Sequence, residues 1–166
     1  MHNCVKTFQE VIAELGPALG RIAASYERNA ALREELLQDI LLAIFRSLPQ
    51  LKESAKVKTY AFRIAHNRCV DHVVQHAALP PTEDVPAELP SDGFTPEQIL
   101  LGHERSYRLV RAVRLLELPY RQVMTLLLED MSYIEIGESL GISVANVGVR
   151  VNRAKALLKE FLHDDR

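Results

Sequence analysis

The residues whose side-chain chemistry most clearly suggests a function lie near the C-terminal end of the sequence. Arg150, Arg153, Lys155 and Lys159 fall within residues 142–159, a stretch that contains no Asp or Glu. Because guanidinium and ammonium groups without neighbouring acids attract phosphates, this stretch can present a basic face to nucleic acid. A solvated face of an ordinary terminal helix is the alternative interpretation.

The elements around this basic run predict a helix-turn-helix. Ser132 and Glu135 have the spacing of a capping box, which starts a short helix over 133–140. Gly141 can adopt the left-handed conformation that ends a helix, and Ser143 can cap the next one. In that last helix the apolar residues recur on one face at about 100° per residue: Val147, Val151, Ala154 and Leu158.

With that apolar face turned inward, polar and basic side chains remain on or near the outward side of the last helix. They are Asn146, Arg150, Asn152, Arg153 and Lys155. A recognition helix places such residues against the major groove of DNA and the phosphates beside it. DNA binding is therefore the favoured interpretation of this segment.

Helical periodicity also runs through the rest of the chain. Helices are predicted over 5–26, 30–47 and 56–76, then over 96–116 and 119–129, and the first can break where Pro17 follows Gly16. Between these groups, residues 79–95 hold four prolines and four acids, the composition of an extended tether. The sequence predicts an all-α protein with two small helical domains, 1–78 and 96–166, joined by a flexible linker at 79–95.

Composition and charge limit the classes of protein to which this chain can belong. The chain has 166 residues, of which 48% are hydrophobic and 25% charged, so a disordered or disulfide-framework protein is excluded. No apolar run reaches the ~18 residues of a membrane span, and residues 1–10 lack the apolar segment of a signal peptide. We expect a cytoplasmic protein without membrane insertion. The net charge of −2 does not exclude nucleic acid, because four of the acids lie in the 79–95 segment.

Two parts of the chain resemble one known family. Residues 118–158 resemble region four of the extracytoplasmic-function (ECF) sigma factors of bacterial RNA polymerase, and residues 33–48 and 58–72 independently resemble region two. Two matching modules in the right order, with a linker between them, indicate one family more specifically than a lone helix-turn-helix does. The resemblance implies a transcription initiation factor that binds core RNA polymerase, directs it to specific promoters and melts the minus-ten element. It also implies restraint by an anti-sigma factor.

The same resemblance assigns three sets of residues. Those that dock on core polymerase are Glu35, Leu36, Gln38 and Asp39. Those available to bind the minus-ten element are Lys52, Lys56, Lys58, Arg63, His66, Asn67 and Arg68. Those available to bind the minus-thirty-five element are Ser143, Asn146, Arg150, Asn152, Arg153 and Lys155. Where the family usually has Thr and a basic residue, this chain has Asn146 and Gly148, so its minus-thirty-five affinity is expected to be weak or unusual.

Other functions stay open at this point. A sigma-like decoy that binds an anti-sigma factor without reading DNA would explain Gly148, and an ordinary repressor or activator would also use a helix-turn-helix. Cys69, His72 and His76 share a sector of one helix and could form a metal site, but three ligands on a terminal helix are thin evidence, so no metal or cofactor is predicted. The sequence has no phosphate-binding glycine loop, nucleophile elbow or metalloprotease motif, so an enzyme is not expected.

Overall fold

The fold is described from a computed structural model, which covers residues 7–51, 56–77 and 96–164, with side chains from residue 105 onward in the last range. Within these ranges the chain forms seven α-helices and one 3-10 turn at Leu48–Gln50, and no strand. The helices are α1 Phe8–Tyr26, α2 Ala30–Ser47, α3 Val57–His76, α4 Pro96–Leu115, α5 Leu118–Leu128, α6 Tyr133–Leu140 and α7 Val144–Asp164. The all-α prediction is confirmed. The predicted linker at 79–95 lies outside the described residues.

The start of α1 is fixed by a capping box that the sequence analysis missed. Thr7 Oγ1 accepts a hydrogen bond from the backbone N–H of Glu10 at 3.3 Å, and Glu10 Oε2 accepts one from the N–H of Thr7 at 2.9 Å. These two bonds satisfy donors that the first turn of a helix otherwise leaves free.

The predicted break in α1 does not occur, because the helix continues through Pro17. Proline at this position removes one backbone hydrogen bond. Burial of one face of the helix offsets that loss, since Leu15, Leu19 and Ile22 are all packed in the core. The first three helices together bury their large side chains against one another, among them Leu19, Ile22, Ile40, Ile44 and Phe62.

The helix-turn-helix forms as predicted, and its geometry is set by local interactions. Ser132 Oγ accepts a hydrogen bond from the N–H of Glu135 at 3.2 Å, and Gly141 ends α6 with a left-handed φ of 69°. Ser143 Oγ then accepts a hydrogen bond from the N–H of Asn146 at 3.1 Å, so Ser143 caps α7. The inward row of α7 is buried as expected: Val147, Val151, Ala154 and Leu158.

The two groups of helices, α1–α3 and α4–α7, are in contact in this structure, because α1 and α3 pack directly against the second group. Their buried side chains form one continuous core with those of α4–α7. At its edge Arg21 makes a bidentate ion pair with Glu129, with nitrogen to oxygen distances of 2.7 and 2.8 Å. Arg114 Nε donates a hydrogen bond to the carbonyl of Ala24 at 2.7 Å, and burial lowers the pKa of Arg114 to about 10.

Arg121 also joins the two groups of helices. Its Nη2 donates hydrogen bonds to the carbonyls of Arg114 and Leu116, at 2.7 and 3.0 Å, which satisfies acceptors at the end of α4. Its guanidinium also lies over the ring of Tyr26 in α1, 5.4 Å from the ring centroid. A cation over an aromatic face is attractive, so this contact helps hold α5 against α1.

Candidate nucleic-acid and polymerase interfaces

The outward face of α7 presents most of the polar residues predicted for the minus-thirty-five element. Asn146, Asn152, Arg153 and Lys155 are exposed, whereas Arg150 is half-buried on the flank of the helix. Ser143 is exposed as well, although its hydroxyl oxygen is already used as the cap of α7. The helix therefore offers polar and basic side chains, and its first turn is capped by Ser143.

Apolar side chains also lie on this surface, and the sequence analysis missed them. Val144 and Val149 are each 47% exposed, and Ala145 is exposed. Ala145 and Val149 are four residues apart, so they are neighbours on one side of the helix. A helical projection could have found them, because both lie nearly opposite the buried row that contains Val147 and Val151.

The residues predicted for the minus-ten element are divided between two sides of α3. Lys56, Arg63 and Asn67 are exposed and share one side of the helix. Arg68 is exposed on another side, where its Nη1 lies 3.8 Å from Asp39 Oδ2 of α2. Lys52 lies outside the described residues.

Two members of the minus-ten set face inward, which corrects the sequence expectation for them. His66 is 1% exposed, because it shares a side of α3 with Phe62 and Cys69, both fully buried. Lys58 is half-buried, and its Nζ donates a hydrogen bond to the carbonyl of Glu129 at 3.4 Å. In this arrangement His66 cannot reach a base, and Lys58 is engaged by the end of α5.

The buried His66 belongs to a polar cluster between the two groups of helices. Its Nδ1 lies 3.0 Å from Tyr26 Oη, within hydrogen-bonding distance, and its Nε2 has no hydrogen-bond partner. Burial lowers the pKa of His66 to about 3, so the ring is neutral at pH 7. Burial also raises the pKa of the Tyr26 hydroxyl and of the Cys69 thiol, so both stay protonated.

The predicted polymerase-docking residues of α2 are also divided by burial. Glu35, Gln38 and Asp39 are exposed, whereas Leu36 is 3% exposed and lies in the core. Leu36 therefore packs α2 against the core and cannot itself contact a partner. Two large apolar residues that sequence reasoning missed are exposed further along α2, Leu42 at 46% and Phe45 at 54%.

The candidate metal ligands are occupied by other contacts. His72 Nε2 lies 2.7 Å from Glu27 Oε2, and His76 Nδ1 lies 2.8 Å from the carbonyl oxygen of His72. The Cys69 thiol is fully buried in the core. Among the residues that the structure describes, no group of three His, Cys, Asp or Glu side chains is arranged to hold a metal ion.

Comparison with known proteins gives the class of this chain. Residues 11–78 match the family Sigma-70 region 2, and residues 106–158 match the family Sigma-70, region 4. The chain is 27% identical over 146 residues to the ECF RNA polymerase sigma factor SigW of Bacillus subtilis, over 82% of this chain and 78% of that protein. It is 29% identical over 163 residues to the ECF RNA polymerase sigma factor SigE of Mycolicibacterium smegmatis, over 94% of this chain and 62% of that protein.

The fold is also similar to a solved sigma factor. The chain superimposes with a TM-score of 0.72 on RpoE from Bartonella quintana, solved in complex with the anti-sigma factor NepR, at 22% identity and over 96% and 98% of the two chains. A helical chain that carries region 2 followed by region 4 is a sigma factor of the sigma-70 type. Within that class, the chain belongs to the ECF sigma factors. In the part of the chain that the structure covers, no helix is both long and apolar enough to cross a membrane.

Proposed function

We propose that this chain binds core RNA polymerase in the cytoplasm and directs it to specific promoters. The observation that carries this proposal is the outward face of α7, where Asn146, Asn152 and Arg153 are exposed on a capped helix with no acid between residues 142 and 159. A helix of this kind fits the major groove, and its cations contact phosphates beside it. Binding free energy, rather than catalysis, drives the recognition.

The exposed side of α3 is the surface that we assign to the minus-ten element. Lys56 and Arg63 can contact phosphates, and Asn67 can hydrogen-bond a base edge. Holding an unpaired strand there would melt the minus-ten element, since the contacts offset the few kcal/mol that each extruded base costs. Lys58 would become available as well once the contact with the carbonyl of Glu129 opens.

We assign the polymerase contact to α2, through the exposed Glu35, Gln38 and Asp39. Acidic and amide side chains beside the exposed apolar residue Leu42 fit an interface with an apolar centre and a charged rim. An anti-sigma factor is the second expected partner. Its support is the similarity to a sigma factor solved with such a protein.

Reconstituted transcription tests the promoter-directing function. Core polymerase loaded with the chain should give transcripts from specific start sites, and Arg153→Ala should reduce them and lower the salt dependence of promoter binding by about one unit of slope. The matched control is Arg105→Ala, which removes the same charge from an exposed position of α4. A chain that binds an anti-sigma factor but yields no promoter-dependent transcript would instead be a decoy.

Binding to core polymerase tests the α2 surface separately. Asp39→Arg reverses a charge on the assigned face and should weaken association with core polymerase, whereas Glu34→Arg reverses one about 140° away from Asp39 around the same helix. Equal effects of the two variants would contradict the assignment of this face.

A further inference from the structure

The surface that α7 offers to DNA is apolar along its centre. Ala145 and Val149 lie side by side, nearly opposite the buried row of the helix, and Val149 leaves 47% of its surface exposed. Asn152 follows one turn later on the same side. Cationic side chains flank this row, since Arg153 lies one turn after Val149, about 80° around the helix from Ala145, and Lys155 lies about 60° from Asn152 on the other flank.

The charges around this row indicate what covers it. From residue 142 to residue 159 the helix carries four Lys or Arg residues and no acid. A protein partner with an apolar face would not require this one-sided charge, whereas a DNA groove bordered by two phosphate strands matches it. The inference that follows therefore rests on the proposed function of the chain as a promoter-binding protein.

We propose that Ala145 and Val149 determine promoter specificity by packing against thymine methyl groups in the upstream element. The C5-methyl of thymine is the apolar group that bases display in the major groove, and small apolar side chains contact it there. Guanine is read by Arg or Lys donors, and the centre of this row has none. Thymine is therefore the base that this surface can distinguish at these two positions.

Asn152 lies one helical turn beyond Val149 and can recognise a neighbouring base. An Asn side chain can donate to N7 and accept from N6 of adenine, which gives a preference for A·T pairs next to the thymines. The exposed Arg153 and Lys155 contact phosphates and carry affinity without sequence information. The recognised element is therefore rich in A·T pairs, with its thymine methyls facing α7.

The test uses the full chain bound to core polymerase. Duplexes in which the upstream segment is randomised are selected for binding, and the best one is made again with deoxyuridine in place of each selected thymidine, which removes only the methyl group. The wild-type complex should bind the deoxyuridine duplex about fourfold more weakly for each methyl that it contacts. Val149→Ala should bind the thymidine duplex more weakly and lose its preference at one position.

The controls separate this inference from the proposed function. Val74→Ala makes the same substitution at an exposed position of α3 and should keep the full preference for thymidine over deoxyuridine. Arg153→Ala should weaken binding to both duplexes equally. Equal binding of both duplexes by the wild type, with Arg153→Ala still weakening it, would overturn thymine reading and leave promoter binding intact. A selection that enriches no upstream sequence would overturn both.

Discussion

The two helices assigned to promoter DNA, α3 and α7, differ in how much of their predicted surface the fold leaves free. On α7 five of the six predicted residues are exposed and the sixth, Arg150, is half-buried. On α3 the predicted set is split, because His66 is buried and Lys58 is engaged by the second group of helices. The buried side chains of α7 form a single row, from Val147 to Leu158, whereas α3 is covered by α1, α2 and the helix-turn-helix. A basic or polar residue on a helix is therefore a surface residue only where no second element packs over it.

The largest expected effect concerns the buried side of α3 and follows from His66. Since burial lowers the folded pKa of His66 to about 3, the unfolded chain binds a proton that the folded chain does not once the pH falls below about 6.5. The stability from the neutral ring is complete above pH 6.5 and is lost as the pH falls towards 3, by about 1.4 kcal/mol per pH unit. Between pH 7 and pH 5 the free energy of unfolding should fall by about 2 kcal/mol from this group.

Urea unfolding at several pH values measures this slope. His66→Gln should flatten it, whereas His163→Gln, at an exposed position of α7, should not. The same slope in wild type and His66→Gln would mean that His66 is not buried as a neutral ring.

The next largest effect tests the partner of His66. Tyr26→Phe removes the hydroxyl that lies 3.0 Å from His66 Nδ1 and leaves a second ring nitrogen unpaired in the core. The expected loss is about 1–2 kcal/mol of unfolding free energy. Tyr133→Phe makes the same change at an exposed position of α6 and should alter stability by less than about 0.5 kcal/mol. Equal losses of unfolding free energy in the two variants would show that the buried hydroxyl stabilises the fold no more than the exposed one.

A smaller effect is expected from the ion pair that joins the two groups of helices. Arg21 is bidentate to Glu129, whose side chain is 10% exposed, whereas the pair of Arg68 with Asp39 is exposed on both sides. Arg21→Ala should cost about 1 kcal/mol, and Arg68→Ala should be within about 0.5 kcal/mol of wild type. Fluorescent labels on α2 and α7 should also report a wider separation for Arg21→Ala only.

The smallest expected effect tests whether α7 needs glycine at position 148. A Cβ at Gly148 would lie 3.7 Å from Tyr133 Cε2, an ordinary contact, so Gly148→Ala should stabilise the chain by up to about 1 kcal/mol through helix propensity. Gly141→Ala should do the opposite, because φ at 141 is 69°. Thermal unfolding compares the two, and destabilisation by Gly148→Ala would show that glycine is required at this position of α7.

Local signals explain how much of the fold could be predicted. The bounds of α2 and α6 were predicted to the residue, because the capping residues and apolar spacing that set them lie within a few positions. Pro17 misled the prediction for α1, since burial of its neighbours outweighs one lost hydrogen bond. Leu36 and His66 were misplaced because their burial depends on elements distant in the chain, such as Tyr26, 40 residues before His66.

The sequence by itself determined the helices, the helix-turn-helix with its left-handed Gly141, and which residues share a side of each helix. These properties depend on backbone conformation and on spacing along the chain, which the order of residues sets directly. Only the tertiary structure decided that α1 and α3 pack against the second group of helices, burying His66 and engaging Lys58. That outcome depends on how apolar surfaces from distant segments fit together, and burial of such surface is not encoded in any single stretch.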